Sequence, residues 1–278
     1  METKHTKQTK HIVCYSGGHS SALVAIEVVR RFGKENVILV NHQLILEDAD
    51  VARFENEVAK YLEMEITYVN FDGWETKDQF DVVIERGSFV NTRTRQALCT
   101  SVMKTMPFND WLKDNFTGDN CVIYYGFDKS EPKRITRRSS IMAAMGYKTD
   151  YPLALWDKRT IFETTEIGIE RPNLYSMFKH ANCIGCLKAG HLHWYAVYCN
   201  YPDIYAKAIA TEEEIGYSIV KDSFLKDMID KFDKMKALGI KPTEHVNGKK
   251  FWNDARKKLA GVCEFDFKID VKPCECFE

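Results

Sequence analysis

His11-Ile12-Val13-Cys14-Tyr15-Ser16-Gly17-Gly18-His19-Ser20-Ser21, near the start of the chain, decides the fold. Residues 11–15 make a short, largely apolar run of the length of a buried strand. Two glycines and three serines then turn the chain. Residues 22–32 follow with helical spacing of apolar side chains, ended by Gly33. The same order repeats downstream. Residues 37–40 give a second apolar strand. Asp48 and Asp50 offer N-caps to a helix whose Val51, Phe54, Val58 and Leu62 share one face. A third strand is expected over 66–69, a helix around 101–112 and a fourth strand over 121–125. A helix over 132–145 ends near Gly146. Alternation of this kind predicts an α/β fold, a doubly wound parallel sheet with helices on both faces.

Around residues 152–156 the character changes, and the remainder reads as mostly helical and cysteine-bearing. Helices are expected over 202–215 and 224–238. Leu225, Met228, Ile229, Phe232 and Met235 form a stripe in the second that reads as core. Residues 262–278 read as an extended strand or tail ending in Cys274-Glu275-Cys276. Two units follow from this shift, residues 11–165 and 166–278. No internal repeat is visible.

The 278 residues are 45% hydrophobic and 28% charged, which is globular composition. A formal charge of −1, from 39 basic and 40 acidic side chains, excludes a global positive field for nucleic acid and leaves a local patch open. Lys4, Lys7 and Lys10 have no apolar run behind them, so no secretory signal is expected. No stretch approaches the ~20 apolar residues that span a bilayer. The expectation is a soluble, cytoplasmic protein without a membrane partner. Nine cysteines in a reducing compartment then point to metal binding or catalysis for the clustered ones. Cys14, Cys121 and Cys199, in apolar surroundings, read as small buried hydrophobes.

A serine–glycine loop between a strand and a helix aims backbone N–H groups and the positive helix end at one place. Glycines let an anion approach closely, and Ser16, Ser20 and Ser21 add hydroxyls. The plainer alternative is a turn with a serine N-cap. Position directly after the first strand, at a topological crevice, favours the anion site.

The segment resembles the PP-loop of the N-type ATP pyrophosphatases and phosphoadenylyl-sulfate (PAPS) reductases, Ser-Gly-Gly-x-Asp-Ser, with Ser20 where that pattern has Asp. It lacks the spacing and the Gly-Lys-Ser/Thr ending of a P-loop. Further segments follow in the family's order over about residues 11–190. Leu98-Cys99-Thr100 with Lys104 and Pro107 is similar to the Cys-Thr/Cys-Cys segment. Gly126-Phe127-Asp128 with Glu131, Arg134, Arg137 and Arg138 resembles the motif that closes the nucleotide site. Tyr151-Pro152-Leu153 with Trp156 is similar to Pro-Leu-x-x-Trp, and Leu174-Tyr175 before Cys183-Ile184-Gly185-Cys186 to Leu-Tyr…Gly-Cys. Divergent members from phages and mobile elements are the most similar.

The resemblance implies a HUP-like (adenine nucleotide alpha hydrolase-like) fold binding an adenine nucleotide, ATP or an adenylyl sulfate, with Mg²⁺. Carried over by position, the nucleotide would meet Ser16, Gly17, Gly18, His19, Ser20, Ser21, Gly126, Asp128, Arg137 and Arg138. Ser20, Lys104 and Arg134 would be catalytic. Guanidinium forks suit phosphate or sulfate oxygens, although a solvated helix face is the alternative for each arginine, and a surface role for Lys104.

Cys183 and Cys186 have the spacing of a metal or iron–sulfur site, or of a redox dithiol. The resemblance adds Cys99 and implies a [4Fe–4S] cluster on Cys99, Cys183, Cys186 and one late cysteine, Cys274, with Cys263 and Cys276 as alternatives. Cys99-Thr100 stands where adenylyl-sulfate reductases have two adjacent cysteines. Zinc, with His191 and His193 nearby, is the second metal reading. Glu275-Cys276-Phe277 is similar in position to the Glu-Cys-Gly of thiol-dependent reductases, which would make Cys276 a nucleophile.

Three functions are therefore expected. The first is cleavage of ATP to AMP and pyrophosphate, activating a nucleobase, nucleic acid or small metabolite for sulfur or nitrogen transfer from a sulfur donor. The second is reduction of a phosphoadenylyl or adenylyl sulfate to sulfite with a thioredoxin-like reductant. The third is a nucleotide-binding regulatory module without turnover.

Overall fold

A computed structural model of the protein describes residues 9–260. Strand β1, Lys10–Cys14, is the centre of the sheet, and its Ile12 and Val13 are wholly buried. It pairs with β2, Val37–Asn41, on one side and β4, Cys121–Tyr124, on the other, Ile12 lying opposite both Ile38 and Ile123. Strand β3, Ile66–Tyr68, and strand β5, Lys148–Asp150, close the edges, giving an all-parallel order β3-β2-β1-β4-β5. The chain winds outward from β1 to β3, then crosses back to β4. The segments leaving β1 and β4 therefore part at their C-terminal ends and open a crevice, as in Rossmann-like sheets.

Helices α1, His19–Phe32, and α2, Ala49–Tyr61, cover one face, where Ala22, Ile26, Phe54 and Val58 pack on Val13 and Leu39. Asp48 caps α2 by accepting from the Asp50 amide, while Asp50 itself pairs with Arg53. Helices α4, Met106–Asn115, and α5, Pro132–Ala144, cover the other face through Phe108, Leu112 and Met142. A third core joins α3, Gln79–Arg86, to the helical region α6, His191–Asn200, α7, Pro202–Ile215, α8, Ile229–Ala237, and α9, Gly248–Leu259. Phe80, Met103, Trp194, Phe232 and Trp252 meet there, so this core draws on residues either side of position 165.

Strand β5 and helix α3 lie outside the sequence expectations. Strand β5 is a polar Lys-Thr-Asp edge with one neighbour, and α3 is eight residues started by a capping box at Asp78. The stripe of residues 224–238 is core, but it is split into a 3₁₀ turn, Leu225–Met228, and α8. The helix expected around 101–112 begins earlier, at Leu98–Thr100, and carries a π turn, Ser101–Thr105, in which the Met106 amide bonds to the Ser101 carbonyl. Pro107, which has no N–H, follows at the head of α4. Among the described residues no helix is long and apolar enough to cross a membrane.

Candidate functional site

The loop after β1 uses its two glycines differently. Gly17 has φ 69°, and a Cβ there would collide with the Glu55 carboxyl and come within 2.6 Å of Val51 Cγ1. Gly18, the N-cap of α1, has φ −80°, and a Cβ there would stand 3.4 Å from Tyr175 Oη. The fold requires glycine at 17; at 18 only what lies in front of the loop would. Ser21 closes the loop on itself, donating to the Gly18 carbonyl at 2.8 Å and accepting from the Ser16 amide at 3.2 Å. No acidic side chain sits in the first turn of α1, whose leading amides lack helical partners. One of them, His19 N–H, donates to Tyr175 Oη at 2.9 Å. Gly126, leaving β4, passes so close that a Cβ would lie 3.1 Å from the Ser21 nitrogen.

Between these segments lies a cleft of about 600 Å³, a volume suited to a nucleotide-sized ligand. The loop forms one wall and residues 126–134 the second. Tyr175 and Asn182 form the third, with Lys104 below. The second wall is built in advance. Asp128 Oδ1 accepts from the Ser130 amide and hydroxyl, both at 2.6 Å, and Glu131 accepts from the Asp128 amide at 3.1 Å. Arg134 ion-pairs with Glu131 and lies 4.3 Å over the Phe127 ring, and its Nε is buried without a hydrogen-bond partner among the described residues. Beneath the loop, Glu55 is 2% exposed and accepts from Asn41 Nδ2 at 2.6 Å. Burial, with Glu47 adding repulsion, pushes its carboxyl up to about 8, so at neutral pH the floor under the loop is largely uncharged.

Of the residues singled out in the sequence, Ser16, Gly18, Ser20, Ser21, Lys104, Gly126, Asp128 and Arg134 all line this cleft. Four side chains sit otherwise than expected. The Ser21 hydroxyl serves the loop itself. His19 is buried against the 3₁₀ turn Thr164–Ile167, with Nε2 3.4 Å from the Thr164 amide and 3.3 Å from Glu163. Burial, reinforced by Arg171, takes it down to about 4 and leaves it neutral. Arg137 is exposed and outside the cleft lining, whereas Arg138, about 100° round the helix from it, is buried below. Tyr125, Phe127 and Asn182 also line the site. Phe127 stands inside the quoted Gly126-Phe127-Asp128 segment, whereas Tyr125 reads as strand core and Asn182 is not singled out.

The chain is 26% identical over 201 residues to the uncharacterized nin region protein ORF290 of Escherichia phage lambda, covering 64% of this chain and 66% of that protein. The chain thus spans just under two thirds of that relative's length. No protein-family model matches the chain, and no solved structure does.

Cys99, Cys183 and Cys186 come together around a separate cavity of about 30 Å³, whose wall also includes Lys104 and Lys188. The Lys188 Nζ is buried there without a hydrogen-bond partner among the described residues. His193 holds the CxxC turn, accepting from the Cys186 amide at Nε2 (3.2 Å) and pairing with Glu244 at Nδ1 (3.1 Å). Among the described residues no three His, Cys, Asp or Glu side chains are gathered closely enough for one metal ion. Cys263, Cys274 and Cys276 lie outside the described residues. Cys14 and Cys121 are buried as expected, their thiols pushed up to about 12 and about 11 by burial, while Cys199 is half-buried.

Proposed function

We propose that this chain is a PP-loop enzyme of the PAPS reductase group, with a HUP-like fold, that cleaves ATP to AMP and pyrophosphate to activate an acceptor for sulfur or nitrogen transfer. The supporting observation is the loop of residues 16–21, at the point where the strand order reverses, facing Arg134 and Lys104 across the cleft. Amides at a helix start, two cations and an uncharged floor together favour a polyanion.

In this reading an acceptor oxygen attacks the α-phosphorus of ATP and the bond to the β-phosphate oxygen breaks. Pyrophosphate leaves toward the loop. A sulfur or nitrogen nucleophile then displaces AMP from the activated carbon. Ser20 contributes a hydroxyl donor where the family pattern has a carboxylate, while Arg134 and Lys104 stabilise charge on the phosphates. Asp128 and Glu131 are the carboxylates that would hold Mg²⁺, which supplies further neutralisation of the leaving group. The donor set of the thiol cavity suits a sulfur-ligated anionic group, because the buried Lys188 nitrogen beside three sulfurs calls for negative charge, and its about 30 Å³ would have to widen to take a cluster. Cys99, Cys183 and Cys186, with Cys274, would hold a [4Fe–4S] cluster, which when bound supplies electron or sulfur handling. Zinc is less suited, since His193 already uses both ring nitrogens.

A second reading, sulfonucleotide reductase, is favoured by the wall that cleft and thiol cavity share at Lys104. There the Cys276 thiolate would attack the sulfate sulfur and release the nucleotide. A thioredoxin-like dithiol would then reduce the thiosulfonate to thiol and sulfite. Calorimetry and product analysis with ATP and with adenylyl sulfates decide between them. Arg134→Met and Gly18→Val are each expected to weaken nucleotide binding at least ~10-fold, about 1.4 kcal/mol. The intact enzyme given its acceptor is expected to form AMP and pyrophosphate. Unchanged affinity in both variants removes the nucleotide reading, and sulfite as product selects the reductase.

A further inference from the structure

Behind the cleft lies a second, smaller chamber that shares Cys14, Lys104 and Tyr125 with it and extends to His42 and Arg138. The Arg138 side chain belongs to a residue only 7% exposed. Its guanidinium lies 5.3 Å from the centre of the Tyr125 ring, and among the described residues it has no carboxylate partner. The Tyr125 hydroxyl is also buried, with no oxygen or nitrogen partner among them and the weakly accepting Cys14 thiol beside it. Among the described residues no Asp or Glu lines the chamber. His42 is neutral, since burial takes it down to about 4, with Nδ1 against the Val69 carbonyl. Cys14 is a neutral thiol for the same reason. Among the described residues the charged side chains on the wall are two cations, Arg138 and Lys104, the second with interactions of its own elsewhere. A guanidinium largely withdrawn from bulk water without a counter-charge is among the costlier arrangements in a protein interior.

Size then selects the counter-charge. About 20 Å³ of the chamber is open to the centre of a water-sized sphere, and one water requires roughly 10–15 Å³ by that measure. A tetrahedral phosphate or sulfate is too large. We propose that this chamber is a binding site for one small monovalent anion of halide size, hydrosulfide included, held by Arg138 and the Tyr125 hydroxyl. Its opening onto the cleft gives the site a use that rests on the nucleotide reading. Hydrosulfide placed there can attack the activated carbon, and AMP leaves with the bonding electron pair while the S–H proton passes to water. The binding site itself does not depend on that reading.

The test is ³⁵Cl NMR line broadening on the reduced full-length chain, with gluconate, too bulky for the chamber, holding ionic strength constant. Wild type is expected to broaden the chloride line saturably. Arg138→Met is expected to lose that excess broadening, and Arg138→Lys to keep most of it. Arg137→Met, which alters an exposed neighbour, is expected to keep all of it. Tyr125→Phe, which preserves shape and charge, is expected to weaken chloride binding several-fold, and it guards against a misfolded Arg138 variant. Hydrosulfide is expected to narrow the line by competition. Equal line widths for wild type and a folded Arg138→Met overturn the site. A line that hydrosulfide leaves broad overturns the sulfur assignment. ATP affinity measured on the same samples separates these outcomes from failure of the nucleotide reading, because chloride binding in a chain that ignores ATP would sink that reading alone.

Discussion

Glu55, under the loop of the sheet region, and Glu212, inside the helical region, are both buried carboxyls whose pKa is raised by loss of water, to about 8 and about 7. Their surroundings differ. Glu212 accepts from the Ile219 and Leu225 amides, both at 2.6 Å, and so braces the turn that follows α7. Tyr195 and Tyr205 likewise donate to the backbone carbonyls of Ile240 and Leu225. In the sheet region, Arg138, the Tyr125 hydroxyl and Arg134 Nε are buried facing cavities. Where buried polar groups close on backbone, they hold the scaffold. Where they face open space, the candidate chemistry is found, and stability and function can be perturbed separately.

The largest expected effect tests the scaffold side. Phe232→Ala empties a wholly buried site among Tyr195, Tyr198 and Tyr205 and is expected to lower unfolding free energy by about 3–5 kcal/mol in urea titrations. Nucleotide affinity of the folded fraction is expected to stay within about 2-fold. A ligand-affinity loss as large as the stability loss would break the comparison.

Next comes the pair of loop glycines. Gly17→Ala meets both a positive φ and the Glu55 side chain, so a stability loss of about 2–4 kcal/mol is expected. Gly18→Ala is expected to remain within about 1 kcal/mol of wild type. Equal losses in the two variants would mean that the loop is not divided into a structural and a functional glycine.

The smallest effect is read against pH. Between about 4.5 and about 8 the folded protein holds a proton on Glu55 that the unfolded chain has released, so stability falls as pH rises through that window. Glu55→Gln is expected to remove part of that fall, gaining about 1–2 kcal/mol over wild type at pH 8 relative to pH 5. Glu212→Gln keeps one acceptor oxygen for two amides and is expected to lose about 1 kcal/mol at pH 5, before ionisation enters. Chemical denaturation at the two pH values checks both signs.

Much of the sheet was legible because β1, β2 and β4 are buried on both faces and therefore read as apolar runs. Strand β5 was not, because an edge strand of Lys, Thr and Asp needs no apolar pattern. The loop's place was legible from strand, glycines and helix. The use of its side chains was not, because whether Ser21 turns to a ligand or back to Gly18, and whether His19 faces the cleft or Thr164, depends on partners distant in sequence. Arg138 read as part of a phosphate clamp, with a solvated helix face as its alternative, and Lys188 carried no signal; only three-dimensional neighbours reveal both as withdrawn from the surface. The assignments to Cys274 and Cys276 fall outside the described residues.

The π turn, Ser101–Thr105, can be seen as one extra residue in a helix. In an unbroken α-helix Cys99 and Lys104, five positions apart, would point about 140° away from each other. Bonding from i to i+5 stacks such residues on one side, and both do line the thiol cavity, with Lys104 reaching the cleft as well. Deleting a single residue there would let the ladder regularise and rotate everything before it by about 100° relative to α4. The chain would keep its composition, its helix and its core size, but it would lose the alignment that lets a single lysine border three chambers at once.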